Sequence, residues 1–100
     1  MTDARTRADA TLVVRIPGLL RSYTRGAATV TLSGKDEWTL GDLLYELDRR
    51  YPGLRFRIVD EQQCVRTHIK IFVDTALVRD LSRRLAGARE VMIVGALSGG

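Results

Sequence analysis

The sequence predicts one α+β domain in which a single main helix covers one face of a β-sheet. Three observations lead to this fold class: apolar residues alternate near the start of the chain, one amphipathic stretch follows, and one more alternating stretch and one continuously apolar stretch come after it. A chain of 100 residues can build one modest hydrophobic core. A helix and a sheet with one apolar face each bury those faces against each other, so two layers are expected.

Two neighbouring strands are predicted before the helix. The first covers residues 11–16, where every second residue is apolar, and it ends at Pro17 because proline cannot donate to a sheet ladder. The second covers residues 28–33, with an apolar face and a hydroxyl face. The short connector between them favours an antiparallel hairpin.

The clearest helix signal follows this hairpin. Its apolar residues recur at helical spacing and form one stripe: Leu40, Leu43, Leu44, Leu47 and Tyr51. Thr39 is a good N-cap, and Asp42 three residues later resembles a capping box. Pro52 and Gly53 end the helix.

Two further strands are predicted in the second half of the chain. Residues 68–74 alternate, and residues 90–94 are apolar on both faces after the first residue, which is typical of a central strand. Residues 54–59 are predicted as a short helical turn, 60–66 as a polar loop, and 77–84 as a short strand or turn. This order fits a β-grasp, ubiquitin-like fold with a mixed sheet of four to five strands.

The periodicity also predicts which side chains form the core. The predicted core residues are Leu12, Val14, Ile16, Val30, Leu32, Leu43, Leu44, Leu47, Ile69, Ile71, Val73, Val91 and Ile93. Residues 1–10 are polar and small and are predicted to be a flexible leader. The domain is expected to span residues 11–96, followed by a flexible tail over residues 97–100.

Composition and charge exclude several classes of function. The chain has one cysteine, Cys64, and one histidine, His68, so thiolate zinc sites, iron–sulfur clusters and most catalytic triads are excluded and no metal site is expected. Neither residue has an evident catalytic neighbour. No apolar run is long enough to span a membrane, and the start of the chain lacks a signal peptide. We therefore expect a cytoplasmic protein without a membrane partner.

The chain is basic, with 16 Lys and Arg residues against 12 Asp and Glu residues and a net charge of +4. Two arginine-rich groups stand out: Arg49, Arg50, Arg55 and Arg57, then Arg79, Arg83, Arg84 and Arg89. Each group is suited to an acidic partner or a phosphate backbone. Interspersed acidic residues favour an ordinary solvated surface instead, so no nucleic-acid partner is expected.

The last residues carry the most specific chemical signal. Gly99 and Gly100 lack side chains, so a narrow tunnel in another protein can admit them. Four extended residues, 97–100, span about 13 Å, which would bring a terminal carboxylate deep into a partner. The alternative is a frayed tail with incidental glycines.

Residues 12–100 resemble the MoaD/ThiS family of ubiquitin-like sulfur carriers. The resemblance lies in the order and spacing of five stretches: residues 39–44, 50–54, 68–73, 90–94 and 97–100. Within that family, residues 16–26 look most like the carriers that serve cysteine synthesis in actinobacteria.

This resemblance implies a protein cosubstrate and not an enzyme. An E1-like adenylating and sulfur-transferring enzyme would use ATP and magnesium to activate Gly100, so the carrier itself would bind no cofactor. Sulfur would then be held as a thiocarboxylate on Gly100, with Gly99 providing clearance. A biosynthetic enzyme, cysteine-synthase-like or other, would accept it. The alternatives are a molybdopterin synthase small subunit or a thiamine sulfur carrier, then a ubiquitin-like protein modifier, then a basic nucleic-acid-binding module.

A partner-docking face is predicted from the apolar residues left outside the core. Its members are Pro17, Phe72, Leu77, Met92, Val94, Leu97 and Ser98. Exposed apolar patches of this kind mark partner sites. The competing interpretation is that Met92 and Val94 pack beneath residues 77–85 and belong to the core.

Overall fold

The computed structural model describes residues 11–33 and 37–95. The strands are β1 (Thr11–Arg15), β2 (Thr29–Ser33), β3 (Ile69–Val73), β4 (Ala76–Leu77) and β5 (Glu90–Gly95). The α-helices are α1 (Leu40–Arg50) and α2 (Leu54–Ile58), and a 3₁₀ helix (Gly18–Leu20) follows β1. The predicted leader and tail lie outside the described residues, so their bounds stay predictions. Among the described helices, none has the length and apolar character that a membrane span requires.

The five strands form one mixed sheet in the order β2-β1-β5-β3-β4. β1 and β5 run parallel, with Val14 opposite Val91, and the other neighbouring pairs run antiparallel. β5 is the middle strand, as its two apolar faces predicted. The predicted fold class, a β-grasp domain with one main helix, is therefore confirmed.

The core lies between α1 and the sheet. Every predicted core residue is buried. Further buried side chains that periodicity did not identify lie in the 3₁₀ helix, in α2 and in the connecting segments: Leu20, Leu54, Ile58, Val59, Val65, Val78 and Leu85. The core therefore extends beyond the regular elements into the connections around them.

Helix α1 begins and ends where its sequence predicted. The Thr39 amide donates to Asp42 Oδ2 at 3.0 Å, and the Asp42 amide donates to Thr39 Oγ1 at 3.1 Å. These two bonds complete the capping box. At the other end the chain turns at Gly53, whose φ of 95° lies in the left-handed region that glycine tolerates.

Residues 78–85 pack against the start of α1. The amides of Leu40 and Gly41 donate to the carbonyl oxygens of Arg83 and Leu81, both at 2.8 Å. The first amides of a helix have no partner inside it, and these loop carbonyls supply one. Val78 and Leu85 join the core on that side, whereas Val94 is 38% exposed. This exposure favours the docking-face interpretation of Val94 over burial beneath the segment.

Candidate functional site

The sheet face turned away from α1 carries a row of apolar side chains. Phe72 of β3 pairs with Met92 of β5 on one side and with Leu77 of β4 on the other. Residues directly opposite each other in a sheet point to the same side, and their neighbours along each strand are buried on the α1 side. Phe72, Met92 and Leu77 therefore lie side by side on the open face.

Val94 extends this patch by one step along β5. It lies on the same face as Met92 and pairs with Lys70. Leu77 is 54% exposed and Val94 38% exposed, whereas Phe72 and Met92 are half-buried. We call Phe72, Leu77, Met92 and Val94 the open-face patch.

The other predicted docking residues are placed differently. Pro17 lies outside the strands and is half-buried, as the N-cap of the 3₁₀ helix. Leu97, Ser98, Gly99 and Gly100 lie outside the described residues. The structure thus brings four of the predicted docking residues onto one face, and the grouping of the others stays a prediction.

Charged groups border the open-face patch. Arg15 of β1 pairs across the sheet with Met92, and its guanidinium forms an ion pair with the Glu90 carboxylate. Lys70 borders the patch on β3 and is exposed. An apolar centre with a polar rim is the usual composition of a protein-docking surface.

The last described residue, Gly95, lies beneath a side chain that the sequence did not single out. A Cβ built on Gly95 would lie 2.5 Å from Leu19 Cδ2 and 3.2 Å from Leu19 Cγ. Leu19 belongs to the 3₁₀ helix and is 37% exposed. The only sequence signal for Leu19 is an apolar pair directly after Pro17-Gly18. Glycine at residue 95 is what permits this close approach.

A groove of about 300 Å³ adjoins this contact. Its lining residues are Leu19, Leu20, Phe56, Arg57, Glu61, Arg66 and His68. His68 directly precedes Ile69, which pairs with Gly95 at the end of β5. The groove therefore lies next to the point from which residues 96–100 continue.

Several arginines of the two predicted basic groups have partners within the protein. Arg49 and Arg50 form ion pairs with Glu46, and the hydrogen bond from Arg49 lowers the pKa of the Glu46 carboxyl. Arg55 stacks over the Tyr45 ring, with the guanidinium carbon 4.1 Å from its centre. These contacts reduce the positive charge that the first group presents to a partner.

The second basic group is also divided. Arg79 is exposed but donates to the carbonyl oxygens of Val65 at 2.5 Å and Ile69 at 3.5 Å. Arg83, Arg84 and Arg89 are exposed. Arg79 thus anchors the loop 59–65 to the segment after β4, and the basic group is not one uniform surface.

Cys64 and His68 lie in different parts of the surface, the first in a loop and the second in the groove. Cys64 is exposed in the predicted polar loop, and its thiol lies 3.7 Å from the Gln62 carbonyl oxygen. His68 is exposed in the groove. Within residues 11–33 and 37–95, no three His, Cys, Asp or Glu residues cluster closely enough to hold a metal ion.

No known protein-family profile matches the chain. It is, however, 32% identical over 94 residues to the sulfur carrier protein CysO of Mycobacterium tuberculosis, covering 89% of this chain and 98% of that protein. CysO of Mycobacterium bovis matches with the same values.

Solved structures agree with this relationship. The crystal structure of M. tuberculosis CysO matches with a TM-score of 0.73 and 30% identity, covering 86% of this chain and 99% of that one. A chain of the Amycolatopsis orientalis BexX/CysO complex matches with a TM-score of 0.77 and 25% identity, covering 89% and 99%. SAMP1 of Haloferax volcanii, with a TM-score of 0.74 and 22% identity over 91% and 100%, shows the shared fold. The chain belongs to the MoaD/ThiS-like family of ubiquitin-like sulfur carrier proteins, with CysO among its relatives.

Proposed function

We propose that this protein carries sulfur as a thiocarboxylate on Gly100 and donates it to an enzyme of cysteine or other sulfur-metabolite synthesis. The observation that carries the proposal is the 32% identity to the sulfur carrier CysO over 89% of the chain. The Gly99-Gly100 sequence supports it, because two residues without side chains suit a narrow active-site tunnel.

The chemistry explains why a separate activating enzyme is needed. A terminal carboxylate has a pKa of about 3.5, so it is an anion at neutral pH and resists nucleophiles. Attack of its oxygen on the α-phosphorus of ATP, with magnesium on the phosphates, releases pyrophosphate and forms an acyl-adenylate. A sulfide donor then attacks the acyl carbon, so that the C–S bond forms and the C–O bond to AMP breaks. ATP and magnesium are thus used by an E1-like enzyme, and the carrier is its cosubstrate.

The open-face patch is the surface that we assign to docking. It presents Leu77 and Val94 to solvent beside the strand that leads to the tail. Pro17, Leu97 and Ser98 would extend the contact toward the partner's tunnel. The A. orientalis relative is described in a complex with BexX, which supports a protein partner for this chain as well. The acceptor that we propose is cysteine-synthase-like.

Intact-mass analysis tests the proposal. The full chain is incubated with the activating enzyme, ATP, magnesium and sulfide, and we expect a mass gain equal to sulfur minus oxygen, localised to Gly100. Deletion of Gly100 should abolish the gain, and Gly99→Leu should block it through lost clearance. Cys64→Ser is the matched control and should retain the gain. A gain that survives removal of both glycines, or disappears only with Cys64→Ser, would contradict the mechanism.

A second candidate function is modification of other proteins. A Methanosarcina acetivorans protein described as small archaeal modifier protein 1 matches with a TM-score of 0.69 and 27% identity, covering 91% and 97%. In this case a lysine amine of another protein would attack the Gly100 acyl-adenylate, so that an amide forms and AMP is released. Peptide mapping of the reaction mixture with added acceptor protein distinguishes the two outcomes. Trypsin cuts after Arg89, so only this one leaves residues 90–100 as a branch on lysine.

A further inference from the structure

We propose that the groove beside Gly95 binds an acidic segment of the enzyme that activates Gly100. This inference rests on the proposed function, because it assigns one contact of that enzyme. The open-face patch is apolar, whereas the groove offers positive charge above an apolar floor formed by Leu19, Leu20 and Phe56. The two surfaces therefore fit different parts of a partner.

Arg66 is held in place before any partner arrives. Its guanidinium carbon lies 4.6 Å from the centre of the Phe56 ring, and its Nε donates to the Phe56 carbonyl oxygen at 2.8 Å. Within the described part of the chain, its two Nη atoms make no hydrogen bond, so they are available to a carboxylate. A preorganised guanidinium loses little side-chain entropy on binding, which favours a bidentate contact.

Arg57 adds a second positive charge to the groove. Arg57 and His68 are exposed, and the Arg57 guanidinium carbon is 5.9 Å from the centre of the Tyr23 ring. Glu61 is the carboxylate of the lining, and among the described residues it forms no ion pair with these groups. Two arginines therefore face one carboxylate, and a segment with Asp or Glu beside an apolar residue complements both the charge and the floor.

The position of the groove identifies which partner can use it. Leu19 belongs to the lining and also covers Gly95. The five residues after Gly95 reach at most about 17 Å when fully extended. An enzyme that holds the end of this tail must therefore lie close to the groove, which makes it the partner best placed to supply the acidic segment.

Peptide titration tests the groove without any enzyme. The probe is a blocked six-residue peptide of alternating glutamate and leucine, and its glutamine counterpart is the control. We expect it to shift the ¹⁵N–¹H signals of Leu19, Phe56, Arg66 and His68 in the full chain. Arg57→Glu should weaken binding by about fivefold, the loss expected for one exposed charge pair. Arg83→Glu makes the same charge change on an exposed residue of the segment 78–85, beside the start of α1, and should change binding less than twofold.

The kinetic test uses the activating enzyme. Arg57→Glu should raise the KM for the carrier by about fivefold with kcat unchanged, and Arg83→Glu should leave both unchanged. Equal effects of the two variants, or peptide shifts confined to the open-face patch, would overturn the inference. If wild-type protein gains no sulfur while the peptide still binds the groove, the proposed function fails and the groove's preference for acidic segments stands. If sulfur transfer proceeds and Arg57→Glu has no effect, only the groove assignment fails.

Discussion

Leu19 packs onto Gly95 so closely that any side chain at residue 95 would meet its Cγ and Cδ2 atoms. This contact joins the 3₁₀ helix after β1 to the end of β5, which is the strand that leads to the tail. It therefore links the tail's point of departure to the groove, since Leu19 contributes to both.

We expect Gly95→Ala to lower the free energy of unfolding by about 1 kcal/mol, because Leu19 must move to admit the new methyl group. Alanine is ordinarily more stable than glycine within a strand, so a lower free energy of unfolding would show that the new methyl group clashes with Leu19. In a Leu19→Ala background the same change should cost less, with a coupling of at least about 0.5 kcal/mol. Urea unfolding of the four proteins measures this coupling, and additive costs would show that the two residues do not restrict each other.

Leu47→Ala should reduce the free energy of unfolding by about 2–5 kcal/mol, because Leu47 is fully buried between α1 and the sheet and the change leaves a cavity. The control is Leu77→Ala on the open face, where 54% exposure limits the loss to less than about 1 kcal/mol. Chemical denaturation of both variants gives the comparison. Similar losses for the two would contradict the assignment of the core.

Val94→Asp should impair activation of the carrier while leaving the fold intact. A carboxylate at the end of the open-face patch nearest the tail is costly to bury against an apolar partner, and we expect kcat/KM for adenylation to fall by about tenfold. Thr31→Asp places the same charge on an exposed residue of the edge strand β2 and serves as the control. A large drop in melting temperature for Val94→Asp would instead show that Val94 supports the core.

Glu46→Gln should make the free energy of unfolding depend less on pH in the acidic range. The hydrogen bond from Arg49 lowers the Glu46 pKa in the folded state below its ordinary value of 4.5. A group with a depressed folded pKa stabilises the fold above its unfolded pKa and loses that contribution as the pH falls through the folded value. The variant should thus be less stable than wild type near neutral pH, with the difference closing below about pH 4.5. Urea unfolding of both proteins as a function of pH measures this difference, and a difference that stays constant down to about pH 3 would contradict the prediction.

Local patterns predicted the regular elements well. The capping box of Thr39 and Asp42, the apolar stripe of α1 and the alternation of β1, β3 and β5 all depend on residues a few positions apart. The same alternation placed Phe72 and Met92 on the face opposite the core. These features were predictable because 3.6- and two-residue periods convert sequence spacing directly into a side-chain direction.

The connecting segments were harder to predict, because their apolar residues do not recur at a regular spacing. Val78 and Leu85 are buried, and the segment between them supplies carbonyl oxygens to the first amides of α1. Arg79 looks like a surface cation in the sequence, yet it donates to two backbone carbonyls of another part of the chain. The placement of these residues depends on backbone groups, far away in sequence, that need hydrogen-bond partners.

The sequence by itself determined the two-layer fold, the core side of each strand and the Gly99-Gly100 tail that relates the chain to sulfur carriers. Only the tertiary structure decided that Leu19 covers Gly95 and that Arg57, Arg66 and His68 line one groove beside it. The physical reason is that the parallel pairing of β1 with β5 brings the end of β5 beside the segment that follows β1. Contacts between residues so far apart in sequence depend on that strand order, which local spacing does not encode.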